Sequence, residues 1–392
     1  MRVDGSTEKH CARVIAAYLS VVLVFNVGSA IADEGKATSF VTLPAIQSES
    51  AKASLLLDAD ANSGRLLVVG EQGHILYSDD KGSSWTHADV PVSLAITAVA
   101  FASPGQAWAA AHDGFLLQST DNGASWQVKL TGIDVAGLSV AAAEERVTSL
   151  EAALEEATPD TREDIEWALD DAMFAVEDAT AAIAEGITTP LLNVWFASEK
   201  DGYALGAYGV FLHTSDGGAT WRLESDRLEN PDKYHLYDMT RNAAGTLLVA
   251  GEAGTLLRSL DRGQTWQRPE SPYTGSFFGT VAAADGSLLV FGLKGNVFRS
   301  VDDGATWSVV ATGDQRTLLG GMVQSDGTIV LVGSAGAVLL SNDHGSSFST
   351  LPTTGNRVYS SVAEAADGKL LLVGFGGISL LASDAVPGGR HE

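Results

Sequence analysis

Forty-nine carboxylates, eight histidines and one cysteine are the groups of this 392-residue chain that could do chemistry, and metal binding or hydrolysis is the chemistry they would support. His10, His74, His87, His112, His213, His235, His344 and His391 show no His-x-x-x-His spacing, the arrangement that turns two imidazoles toward one metal on a helix face. No Gly-x-Ser-x-Gly elbow and no phosphate-cradling glycine loop is present. Glycoside hydrolysis needs two carboxyls at a defined separation, and a sequence so rich in acids does not single out a pair. The residues therefore point away from an enzyme, with no catalytic group, metal or cofactor to name, and the histidines read as turn and surface residues.

Composition narrows the classes further. Lys and Arg total 24 against 49 acids, a net charge of -25, so the chain lacks the basic face that a phosphate backbone demands and nucleic acid is not its partner. Arg2, Lys9 and Arg13, the apolar run 14–27 and Ala30-Ile31-Ala32 read as a secretory signal peptide over residues 1–32, cleaved near Ala32. Cys11 precedes the apolar run, so it is not a lipid-bearing cysteine, and the mature chain carries no thiol, in keeping with an oxidising periplasm.

What must position any functional group is a repeat. Ser/Thr-x-Asp-x-Gly-x-Ser/Thr-aromatic recurs as SDDKGSSW, STDNGASW, TSDGGATW, SLDRGQTW, SVDDGATW and SNDHGSSF, ending at Trp85, Trp126, Trp221, Trp266, Trp307 and Phe348. Asp80, Asp121, Asp216, Asp261, Asp302 and Asp343 are expected to accept hydrogen bonds from their own hairpins, a structural role. A tight turn opens at Gly70, Ala111, Gly206, Gly251, Gly292, Gly333 and Gly374, spaced 41, 95, 45, 41, 41 and 41 residues apart. Before each turn runs an almost unbroken apolar segment such as RLLVVG or KLLLVG, the mark of a strand buried on both faces. About 40 residues per four-stranded unit is the signature of a β-propeller, here all-β and seven-bladed.

Two departures from the repeat carry the rest of the reading. The seventh unit stops after three strands, and SFVTLP at residues 39–44 repeats SFSTLP at 347–352, so the N-terminal strand is expected to close the last blade. The long gap holds an insertion of 54 residues whose apolar positions step by three and four: Val140, Ala143, Val147, Leu150, Leu154 and Ala157, then Ile165, Leu169, Ala172, Val176, Ala179 and Ile183. These predict an antiparallel helical hairpin broken at Thr158-Pro159-Asp160, with a capping box from Asp160 to Glu163 and a stop at Gly186. Residues 138–187 hold 14 acids against Arg146 and Arg162, a net -12. Trp167 and Phe174, with Met173 beside them, lie opposite the packing stripe and mark either an interface or a face laid down on the propeller. The hairpin rises on the side of the variable turns containing Glu71, His112, Asp113, Tyr208, Glu252, Lys294 and Phe375. That side is where function is expected, unless the turns vary only because nothing constrains them.

The motif resembles the bacterial neuraminidase repeat, or Asp-box. Sialidases bearing it would imply an arginine triad, a tyrosine nucleophile and an acidic pair, but no Arg-Ile-Pro motif precedes the repeats, which are evenly spaced here. Residues 191–221 and 98–126 are more similar to the photosystem II assembly and stability factor family of cyanobacteria and chloroplasts. That resemblance implies an exported, non-enzymatic, seven-bladed propeller that helps assemble a membrane complex and holds its client on an arginine patch. Here the net charge and the acidic hairpin depart from that pattern, and a photosynthetic client does not carry over. Similar proteins of non-photosynthetic bacteria are associated with resistance-nodulation-division transporters, which extends the resemblance to an accessory part of such a transporter.

The resulting layout is a signal peptide at 1–32, propeller at 39–134, hairpin insertion at 135–189, propeller at 190–385 and a tail at 386–392. The expected function is a periplasmic scaffold or assembly factor for a membrane protein or membrane protein complex. Its candidate contacts are Trp167, Met173, Phe174, His112, Asp113, Tyr208, Glu252 and Phe375. A glycan-binding or glycan-cleaving propeller is the alternative.

Overall fold

A computed structural model describes residues 43–186, 188–353 and 355–382. The expected signal peptide, residues 39–42 of the expected closing strand, and the tail lie outside them. Among the described residues are seven separate antiparallel sheets and two long helices. The first sheet sets the pattern: β1 (Leu56–Asn62), β2 (Arg65–Gly70), β3 (Ile75–Ser78) and β4 (Thr86–His87) pair in chain order. The others span residues 96–130, 191–223, 236–259, 277–310, 318–350 and 359–381. The second strand of each is the most buried, with every residue of LLVAG, LLVFG, IVLVG and LLLVG enclosed, as unbroken apolar runs require.

Neighbouring sheets pack face to face through interleaved Leu, Val and aromatic side chains, and clusters of such residues bridge them. Trp108 of the second sheet stacks on Phe196 and meets Trp221 edge-on in the third. The first strands of successive sheets are neighbours in chain order, and the last, Tyr359–Glu364, lies beside β1. There Ser360 Oγ donates to Leu56 O at 2.9 Å, and Leu371 and Val373 share an apolar cluster with Leu56 and Val68.

The Asp motif forms one hydrogen-bonded device in six copies. In the first, Ser78 Oγ donates to Asp80 Oδ1 at 2.8 Å and accepts from Gly82 N–H at 2.8 Å, while Ser84 N–H and Oγ donate to the two carboxylate oxygens. The hydroxyl four residues on, then its backbone N–H, hold Asp80, Asp216, Asp261 and Asp302 at about 2, well below the usual carboxylate range. The motif is thus a turn clamp, as its sequence implied.

Four details differ from expectation. The fourth strand of the 236–259 sheet shrinks to the single bridge Arg258–Gln267, because Pro269 follows and offers no N–H to extend it. Leu43 to Ile46 carry no strand, and Ala45 N–H donates to Val90 O at 3.0 Å, beside the first sheet. The hairpin also starts earlier than position 135. Helix α1 (Gly132–Glu155) is capped by Thr131, whose N–H donates to Asp134 Oδ2 while Asp134 N–H donates back to Thr131 Oγ1. Helix α2 (Pro159–Glu185) is capped by Thr158 and not by Asp160: Thr158 N–H donates to Thr161 Oγ1, and Pro159, which has no N–H to satisfy, takes the first helical position. Gly186 ends α2 with φ +69°, as expected.

Candidate functional site

In the first six sheets the second and third strands are joined by a turn of one construction. The residue opening the three-residue 3₁₀ turn donates its N–H to the carbonyl just before its sheet's first strand, as Glu71 does to Leu55 and Glu252 to His235. The next residue is left-handed although it is not glycine: Gln72, Asp113, Tyr208, Ala253, Lys294 and Ala335 have φ of 50° to 59°. Such a conformation disfavours any Cβ, and six repeats of it are sustained by the packed scaffold below. The third position is glycine because the following inter-sheet connection presses on it. A Cβ at Gly73, Gly254 or Gly295 would collide with the carbonyl of Val92, Tyr273 or Asp314.

The structure divides the turn residues named from sequence into two groups. His112 and Asp113 form the seat of the hairpin: His112 Nδ1 lies 2.7 Å from Asp113 Oδ1, Thr188 Oγ1 reaches the same oxygen, and Gly132 of α1 presses on Asp113 O. The His112 contact holds the Asp113 carboxyl below its usual value. Tyr208 and Glu252 instead converge on His235, a residue that sequence reading placed only as a surface histidine. Tyr208 N–H donates to His235 Nδ1 at 3.0 Å, its ring meets the imidazole edge-on at 4.9 Å, and Glu252 Oε2 lies 3.5 Å from Nδ1. From there Tyr237 and Phe278 continue an aromatic run along the first strands of the fourth and fifth sheets. Tyr208 is 59% exposed, so the run ends at solvent. Phe375 is 72% exposed on the seventh sheet's turn.

Below the turns, three aspartates sit between first strands. Asp58 and Asp60 of β1 accept from Val99 and Phe101 N–H at 2.9 and 2.8 Å, and Asp238 accepts from Thr280 N–H and Asn193 Nδ2. Burial raises all three, Asp60 to about 7 and Asp238 to about 6, against the lowering effect of those donors. At the opposite end, a hollow of about 530 Å³ is lined by Asp201, Arg241, Asn242 and Arg262. Near it His213 bonds Asp201 and Glu224. Burial alone would lower its pKa, but the two carboxylates outweigh that and raise it to about 9. No group of three metal-ligating side chains occurs among the described residues.

The hairpin stands on the second and third sheets through α1, with Val135 and Leu138 in the Trp108–Trp221 cluster. The outer face of α2 is bare: Trp167, Met173 and Phe174 are 66%, 51% and 69% exposed. Of the two readings left open for these residues, the geometry gives the uncovered one.

A family model described as photosynthesis system II assembly factor YCF48 matches residues 176–377. The chain belongs to the YCF48 family. The photosystem II assembly lipoprotein Ycf48 of Synechococcus sp. (strain CC9902) is 29% identical over 99 residues, which span 24% of this chain and 29% of that protein. A solved structure of YCF48 bound to a D1 peptide superposes with a TM-score of 0.58 at 15% identity, covering 86% of this chain and 98% of that one. YCF48 from Cyanidioschyzon merolae gives a TM-score of 0.58 at 14% identity, covering 84% and 95%. At such identities these structures speak for the fold, a β-propeller. The YCF48 match starts within α2, so α1 and the first two sheets lie outside it.

Proposed function

We propose that this YCF48-family protein is a non-catalytic scaffold that holds a membrane protein during assembly, working on the periplasmic side after removal of residues 1–32. Family membership carries this reading: a curated relative is an assembly lipoprotein, and a structural neighbour holds a D1 peptide. The propeller is read as seven-bladed and closed, a rigid platform with residues 135–189 inserted between its second and third blades. Support for closure comes from the chain ends. Ile378 N–H donates to Lys52 O at 3.0 Å, and a Cβ on Gly377 would strike that carbonyl, the relation that Gly73, Gly254 and Gly295 have with the next connection. Lys52 thus occupies the place of a connection leading out of the last blade.

Client contact is assigned to the turn side, where Tyr208, Glu252 and Phe375 are accessible, and to the hairpin. A resistance-nodulation-division transporter is the client class that the exported, non-photosynthetic reading favours. The experiment is affinity purification of the tagged full chain from solubilised membranes of its own host. Recovery of a membrane complex, reduced by Tyr208→Ala with Phe375→Ala, is the expected result. Absence of any membrane component, or turnover of glycoside substrates by the purified protein, would overturn the proposal.

A further inference from the structure

We infer that the outer face of α2 is a docking seam for a cationic amphipathic helix belonging to another protein. The inference deepens the scaffold reading and rests on it only for the partner being a protein. Its first support is a period. Residues 163–183 read EDIEWAL, DDAMFAV and EDATAAI, three heptads in which an acid pair recurs at 163/164, 170/171 and 177/178 and an apolar residue follows at Trp167, Phe174 and Ala181. At about 3.6 residues per turn, Trp167, Phe174 and Ala181 fall on one narrow stripe. Ile165, Leu169, Ala172, Val176 and Ile183, which face α1, lie diametrically opposite. One heptad pattern is spent on the intramolecular seam, and a second runs along the solvent side. Hairpin folding needs only the first.

The second support is charge placement. The acid pairs flank the aromatic stripe on both sides, and all six of their residues are exposed. Of the hairpin's acids, among the described residues only Glu166 has an ion-pair partner, Arg162 at 3.5 Å. Asp160, Glu163 and Asp164 suit the positive end of the helix dipole. Glu177, Asp178 and Glu185 sit toward the negative end, where the last turn holds no basic residue. An isolated helix gains nothing from that arrangement. A partner carrying Lys or Arg on either side of an apolar ridge relieves it, and the aromatics supply the desolvated anchors such an interface needs.

The same charges choose between occupants. A second copy would bring the same acid rows and a net charge of -25, and an anionic bilayer surface would be repelled although Trp, Phe and Met suit its interior. Two aromatics seven residues apart are separated by about 10 Å along a straight line, which matches a rod of the same period better than a pocket ligand. Around Trp167 the side chains of Pro159, Arg162, Glu163, Glu166 and Asp170 on the same helix leave a shallow open recess in the seam.

The test measures binding of a labelled three-heptad peptide of Leu and Lys to the purified mature protein by fluorescence anisotropy, from low to physiological ionic strength. We expect binding at least about tenfold tighter than that of a peptide with Leu replaced by Ser at equal charge, weakening with salt. Trp167→Ala with Phe174→Ala should cost at least about tenfold, and so should Glu163→Gln, Asp170→Asn and Glu177→Gln combined. Both sets change exposed side chains, and an unchanged melting temperature verifies folding. Equal affinity for the Ser peptide, binding unaffected by either set, no binding to the folded protein, or preferential capture by phosphatidylglycerol vesicles would each overturn the inference. Membrane complexes recovered as well by the Trp167/Phe174 variant would leave the scaffold reading standing without this seam. Peptide binding with no membrane complex recovered would do the reverse.

Discussion

Asp60 should make the protein less stable as pH rises from about 4 to about 7, and Asp60→Asn should remove that dependence. The carboxyl lies among the first strands, half-buried by its own surface but enclosed by protein, and two backbone donors only partly offset its lost hydration. A folded-state value near 7 against 3.8 when unfolded means that the native state binds its proton more tightly. Stability from this group is therefore fully present below about pH 4, falls between about 4 and 7, and is flat above. The span corresponds to about 4 kcal/mol, an upper bound because residual solvation reduces it. Asparagine keeps one of the two accepting oxygens and loses the other at a cost of about 1 kcal/mol at every pH. Asp60→Asn should thus be slightly less stable than the parent near pH 4 and up to about 3 kcal/mol more stable near pH 8. Urea unfolding of both proteins from pH 4 to 8 measures the difference, in which the titration of the Asp motifs, common to both, cancels. Parallel profiles would show that Asp60 is charged at no cost and that its surroundings solvate it as water does.

The other stability predictions concern the opposite charge and the proposed closure at the chain ends. His213, raised to about 9 by Asp201 and Glu224, contributes stability that is complete below about pH 6.5 and lost as pH climbs to 9. His213→Gln should lie up to about 3 kcal/mol below the parent at pH 6 and converge with it above 9, measured by urea unfolding; a pH-independent gap would deny the ion pairs their role. Deleting residues 39–46 should lower the melting temperature sharply, and Gly377→Val, whose Cβ would strike Lys52 O, should do the same. Unchanged melting of both would defeat closure at the chain ends.

Much of this architecture was legible without coordinates because its determinants are local. Ser78, Asp80, Gly82 and Ser84 complete their clamp within seven residues, so six copies of the motif announce six identical hairpins. The apolar runs report strands covered on both faces, and the three-and-four spacing of Ile165, Leu169 and Ala172 reports a helix with one buried side. Capping was less legible: Asp160 and Glu163 have the right types, but Thr158 holds the cap because Pro159 fixes where the helix can begin.

What only the tertiary structure decided is which distant residues meet. Nothing near His235 in sequence says that it bonds Tyr208, 27 positions away, and nothing in Asp60 says that it clasps Phe101 of the next sheet. Those contacts depend on the stagger of one sheet against its neighbour, a property of the packed array and not of any repeat. The same packing places His112 and Asp113 at the base of the hairpin, and leaves Trp167 and Phe174 uncovered. A sequence period determines which face of a helix is apolar; whether that face meets solvent is settled by where the rest of the chain ends up.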